Sequence, residues 1–249
     1  MSRKGFIGFV VLPLLSFAAY LATHRPMTDT VWDVIYSEQG FFELATAGCF
    51  AAAGFVMFAL WVGSAGRAPT VYRLFFVVFS LGAWFVALEE ISYGQHIFGW
   101  QTPQSLLAVN AKAELNIHNI SDNLLSQALR GTGNLVFPIG LLVVPLLVRW
   151  RRGRAMHPGS WAYFTLPGAE LATLVLIAQS ITAIDKGFKA INDHGLFIRP
   201  GEVQEFYWSL AVVAHAAILS RRVMSARESG ISSVSQDAAH RTGPASRAA

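Results

Sequence analysis

Six runs of apolar residues occupy 5–22, 41–63, 73–90, 134–149, 162–184 and 203–220. A helix needs about 20 mostly apolar residues to cross a bilayer. In hydrocarbon every backbone N–H and C=O must be satisfied internally, so runs of this length fold as helices or not at all. Charged residues make up 14% of the chain, against about 25% in a soluble domain, and the mean hydropathy is +0.44. The expectation is an all-α protein: a six-helix transmembrane bundle over residues 1–222, followed by a disordered cytoplasmic tail over 223–249. The tail is rich in Ser, Ala and Arg and lacks periodicity. The first run follows Arg3 and Lys4, as a signal peptide would, but five further runs argue for a retained helix, kinked at Pro13. No internal repeat is apparent at this level.

Orientation follows from Lys and Arg in the flanks and short loops. With the N-terminus in the cytoplasm, 13 of the 19 basic residues fall on the cytoplasmic side, in clusters such as Arg149, Arg151, Arg152 and Arg154. Trp and Tyr residues sit at both ends of the spans, as an aromatic belt requires. The chain then reads as a multi-pass membrane protein with both termini inside. The net charge of +4 is explained by this topology and implies no nucleic-acid partner; the partner it implies is membrane lipid. Cys49, the single cysteine, lies in an apolar run and reads as a small buried hydrophobe. Of 15 acidic residues, 12 fall on the outer side or its membrane border. Solvated loops would explain that bias, and so would a polar site at the outer surface.

The segment from Glu89 to Asn123 gathers most of the groups capable of chemistry. At about 100° per residue, Glu89, Ser92 and His96 share a face if the third helix runs on through Gly94, and Glu90 then points away. Paired carboxylates at a membrane border are costly unless hydrated, protonated or paired; the plain alternative is that they mark the end of a span. Glu114, His118 and Asp122 follow at i, i+4, i+8, one stripe of a helix, beside the apolar stripe Ile117, Ile120 and Leu124. This predicts an extracytoplasmic amphipathic helix between helices 3 and 4. Glu114 and His118 can share a divalent metal ion, although a solvated face gives the same spacing. Asn116 and Asn119 are neutral polar groups suited to a substrate, as is Gln95. Glu38 and Glu43 flank the outer end of helix 2. His215, ten residues beyond Glu205, reads most simply as a buried histidine bonded to a neighbouring helix.

The run EEISYGQHIFGWQTP, followed by NAKAELNIHN, resembles the signature of a poorly characterised family of bacterial multi-pass inner-membrane proteins. SEQGFFELATA at 37–47 resembles the start of that family's second span. The likeness implies a site drawn from Glu38, Glu43, Glu89, Glu90, Ser92, Gln95, Glu114, Asn116, His118 and Asn119. This chain has Tyr93 and His96 where the family carries Trp and Arg, which counts against His96 as an essential metal ligand. A weaker likeness, Ser92-x-x-x-His96, is to ceramidase-like membrane hydrolases. Their late His-x-x-x-His pair is missing here, because His215 is followed at the fourth position by Leu219.

Together these residues predict an outer-face site between helices 2, 3 and 6. Glu89, Glu90 and Ser92 are the candidates for catalysis, and Glu43, Gln95, Asn116 and Asn119 for substrate binding. Glu114 and His118 are the candidate metal ligands. The function expected is a hydrolase or transferase acting on a lipid or lipid-linked substrate; the alternative is a transport, ion-coupling or membrane-complex assembly component. Ser92 is the hydroxyl placed beside the carboxylates, and it lacks an evident activating triad.

Overall fold

The computed structural model describes residues 3–23, 34–35, 40–66, 68–107, 115, 133–152, 160–192, 195–197 and 199–228. Among these the fold is helical, with no strand. Six helices build it: α1 (3–23), α2 (Phe41–Gly63), α3 (Thr70–Glu90), α4 (Gly133–Arg151), α5 (Trp161–Lys189) and α6 (Pro200–Glu228). Helices α2 to α5 are long and apolar enough to cross a membrane. The apolar part of α1, Ile7–Ala22, is shorter, and α6 is a 29-residue helix with charges at both ends.

Helix α2 is the centre of the packing, with α3 on one side and α6 on the other. Small residues let the backbones approach, as in other membrane helix pairs: Ala53, Ser80, Ala83 and Ala87 are all buried. A side chain on Gly54 would collide with the Trp84 ring, and Ser80 Oγ donates to the Gly54 carbonyl at 2.9 Å. At the far end of this sandwich Arg227 donates to the Gly63 carbonyl at 2.8 Å, so the last turn of α6 caps α2. Helix α6 therefore continues past the expected boundary at 222, with Val223 and Ala226 buried.

Two helices carry π-helical turns, and both obey one sequence rule. IGFVVLP at 7–13 and IGLLVVP at 139–145 share Ile, Gly, Val and Pro at matching positions. In each, the residue before the proline donates to the carbonyl five back: Leu12 to Ile7 and Val144 to Ile139. A proline ring crowds the carbonyl four residues back, and a widened turn just ahead of it relieves the clash. This seven-residue repeat corrects the expectation that the chain has no internal repeat. Both π turns pack against the same stretch of α5, Ala169–Leu171.

Helix α5 is broken at 166–168, where Pro167 and Gly168 interrupt a run the sequence suggested was continuous. The first piece, Trp161–Thr165, is left with carbonyls that no helical N–H reaches. Helix α6 supplies the donors. Arg222 donates to Tyr163 O at 3.0 Å and to Leu166 O at 2.7 Å, and His215 Nε2 donates to Thr165 O at 3.1 Å. A carbonyl only accepts, so the imidazole proton sits on Nε2. His215 is thus a structural cap inside the bundle, a buried histidine bonded to a neighbouring helix.

Candidate functional site

One end of the bundle collects acid groups and the other collects Arg149, Arg151, Arg221 and Arg222. The acidic end is formed by the first turn of α2, the last turn of α3 and the first turns of α6. Aromatic rings fix α2 against α6 here: Phe42 and Phe206 meet edge to face at 5.4 Å, and Phe41 lies 6.0 Å from Phe206. Glu202 and Glu205 share a face of α6 at i, i+3, and Glu43 lies in the first turn of α2. Glu90 lies within electrostatic reach of Glu205, Glu202, Glu43 and Glu89. Glu90 is thus in the field of carboxylates from all three helices. Arg199 stands 3.9 Å from Glu202 at the edge of the group.

The expected shared face of Glu89, Ser92 and His96 does not form. Helix α3 stops at Glu90, and Ser92, Tyr93 and Gly94 turn left-handed, with φ of 48°, 53° and 80°. Gly94 accepts this conformation freely. Ser92 and Tyr93 do not: a left-handed residue bearing a side chain costs roughly 1–2 kcal/mol. The turn is held by Gly94 N–H donating to Ile91 O at 2.8 Å and by the hydrogen bond between the Tyr93 phenol and the Glu89 carboxylate. It reverses the chain into the short helix Gln95–Phe98, which contains His96. Its result is that Glu89, at 6% exposure, and Ser92, at 2%, are both buried. Glu90, which a continuous helix would point away, faces the other acids. Burial first, then the hydrogen bond to Glu89 and its charge, hold the Tyr93 phenol well above the ordinary tyrosine range.

Gln95 is the second organiser of this end. Its Nε2 donates to Thr102 Oγ1 at 2.8 Å, and its Oε1 accepts from the Leu115 backbone N–H at 2.8 Å. Both Gln95 and Thr102 are buried. The chain at 115 is thus tied to the Glu90 end of α3. Glu114, Asn116, His118 and Asn119, with Glu38, Asp122 and the expected amphipathic helix, lie outside the described residues. One turn into α2, Thr46 is 1% exposed, and its hydroxyl has no hydrogen-bond partner among the described residues.

Among the described residues no three His, Cys, Asp or Glu side chains are grouped tightly enough to hold a metal ion. The five carboxylates share a field rather than a coordination sphere. The chain matches no family model, no curated protein and no solved structure.

Of the residues picked from sequence, Glu43, Glu89, Glu90, Ser92 and Gln95 sit at this one end. Sequence reasoning missed Glu202 and Tyr93, and it considered Glu205 only as a distant neighbour of His215. The outer bias of the acidic residues was the available signal for Glu202 and Glu205, since it marks an end of the bundle without saying which acids face each other.

Proposed function

We propose that the acidic end of the bundle binds and releases protons, and that the protein is a proton-coupled transport or membrane-complex component. The convergence of Glu43, Glu89, Glu90, Glu202 and Glu205 supports this most strongly. Like charges gathered at a low-dielectric border repel too strongly for all to stay ionised. Protons are the positive charge such a group takes up most simply. Ionisable groups at membrane borders are costly and commonly belong to ion pathways. On this reading the location is a bacterial inner membrane, with the acidic end extracytoplasmic. Cysteines introduced at 105 and 187 then react with impermeant thiol reagent in whole cells, and one at 153 does not.

A second reading is a hydrolase or transferase acting on a lipid or lipid-linked substrate. The strained turn at Ser92 and Tyr93 favours it, because backbone strain of this kind clusters at functional sites. Two substitutions separate the readings. If Glu90→Gln removes the pH dependence of function while Ser92→Ala leaves function intact, the proton reading stands. Loss of function in Ser92→Ala with the pH response of Glu90 unchanged supports the enzyme instead.

A further inference from the structure

One helical turn beneath the acidic end, three helices each bury a hydrogen-bonding atom that has no partner among the described residues. The atoms are Thr46 Oγ1 on α2, Gln179 Nε2 on α5 and Trp208 Nε1 on α6. We infer that this level binds internal water, which accepts from Trp208 Nε1 and Gln179 Nε2 and donates to Thr46 Oγ1. The site lies in the bundle below the carboxylates, and it stands whether or not they carry a proton.

Contacts between the helices fix the level. Gln204 and Trp208 stand four residues apart on one stripe of α6, and Thr182 and Gln179 three apart on one stripe of α5. Gln204 Nε2 donates to Thr182 Oγ1 at 2.9 Å, and farther along His215 bonds Thr165, so the two helices run antiparallel. Trp208 therefore comes opposite Gln179, about 5 Å farther from the acidic end than the Gln204–Thr182 pair. Helix α2 runs beside α6 in the same direction, since Phe42 meets Phe206 and Arg227 bonds Gly63. Thr46, four residues beyond Phe42, reaches the same depth. Phe50, a turn further, lies 6.2 Å from Phe137, which stacks on Trp208 at 4.9 Å. The Thr46 face of α2 and the indole thus adjoin across one phenyl ring.

The chemistry of the three groups selects the occupant. An indole N–H and an amide NH2 only donate, so they hold no cation. An anion would sit one turn from Glu43 and Glu205, which already share a field with Glu90. A neutral molecule with lone pairs remains, and inside a bundle that is water, which typically bonds about three otherwise unsatisfied polar groups. Bulk solvent does not serve instead, because Thr46 is 1% exposed and Trp208 5%. Nor does Thr46 take the usual relief of a helical threonine, a bond to the carbonyl four residues back. Trp84 Nε1 is also buried without a partner, but it lies against Gly54 with the rings of Phe55 and Phe58 about it. With no polar side chain at its level it holds no water, and it serves as the control.

The test is water-edited solid-state NMR of the full-length protein in lipid, with isotope-labelled indole nitrogens. Magnetisation starts on water and reaches only nearby N–H groups; Trp208→Phe and Trp84→Phe assign the two signals. The expected result is early transfer from water to the Trp208 indole and none to that of Trp84. Gln179→Met and Thr46→Val, each close in size to the native residue, lose most of the transfer at Trp208, whereas Thr46→Ser keeps it. Unmoved signals from the other six tryptophans show that each variant is folded. Transfer to Trp208 no faster than to Trp84 in the wild type would overturn the inference, as when Gln179 Oε1 takes the indole proton directly. Wild-type transfer in either Gln179→Met or Thr46→Val would overturn it as well.

Discussion

Replacing Gln95 by Leu should release the chain at 115 from the end of α3. The substitution is close in size and removes two buried hydrogen bonds, one from Gln95 Nε2 to Thr102 Oγ1 and one from Leu115 N–H to Gln95 Oε1. A buried polar group left without its partner costs about 1–3 kcal/mol. Thr102 is buried and loses the Gln95 donor, whereas Leu115 is half-buried, so water can partly satisfy its N–H. The sum is about 2–3 kcal/mol, or roughly 30- to 150-fold in the local opening constant. Hydrogen exchange read by mass spectrometry on peptides spanning Leu115 measures this directly, with peptides from α2 as the global control. Gln95→Glu is the matched comparison. Its carboxylate still accepts from Leu115, and the Thr102 hydroxyl turns to donate to it, so exchange at 115 rises much less. Unchanged exchange at Leu115 in Gln95→Leu would refute the tie between this segment and α3. Equal acceleration in both variants would show that charge or packing, not the paired hydrogen bonds, holds it.

Three further outcomes are expected. Gly54→Ala should destabilise the protein by about 1–3 kcal/mol through overpacking against Trp84, and Trp84→Leu in the same chain should recover much of it in thermal unfolding assays. Arg222→Ala strips a charged donor from Tyr163 O and Leu166 O and should cost about 2–4 kcal/mol, with Arg222→Lys intermediate. Because the folded state holds the Tyr93 proton more tightly than the unfolded chain, its contribution to stability is complete below about pH 10 and drains away as pH rises beyond that; ultraviolet titration should show one fewer phenol ionising in that range than in Tyr93→Phe corrected for its lost tyrosine, and Glu89→Gln should bring the Tyr93 transition down.

The helices were legible because apolar length is a coarse signal that a bilayer enforces. What sequence reasoning missed was local. Ser92 and Tyr93 have no propensity for the left-handed region, and Gly94 alone hints that α3 stops; the turn is imposed by Glu89 and the packing around it. Pro167 and Gly168 do spell a break, but the apolar residues on either side concealed it, and its compensation by His215 and Arg222 comes from a helix about 50 residues away. The π turns follow Pro13 and Pro145, yet a proline announces a bend and not which hydrogen bond widens. The acid site was half legible: Glu43, Glu89 and Glu90 stand out at span ends, whereas Glu202 and Glu205 join them only once Phe42 and Phe206 bring α2 against α6.

The central claim is that the acidic end of the bundle holds a proton, with Glu90 in the field of the neighbouring carboxylates. Infrared difference spectroscopy of the purified protein in lipid, recorded as pH is stepped across neutrality, reads protonated carboxyl groups directly. The account predicts a protonated carboxyl band in the wild type at neutral pH, lost on alkalinisation, and strongly reduced or shifted in its pH response in Glu90→Gln. A wild-type spectrum with no such band at neutral pH, or a band untouched by Glu90→Gln, would contradict it.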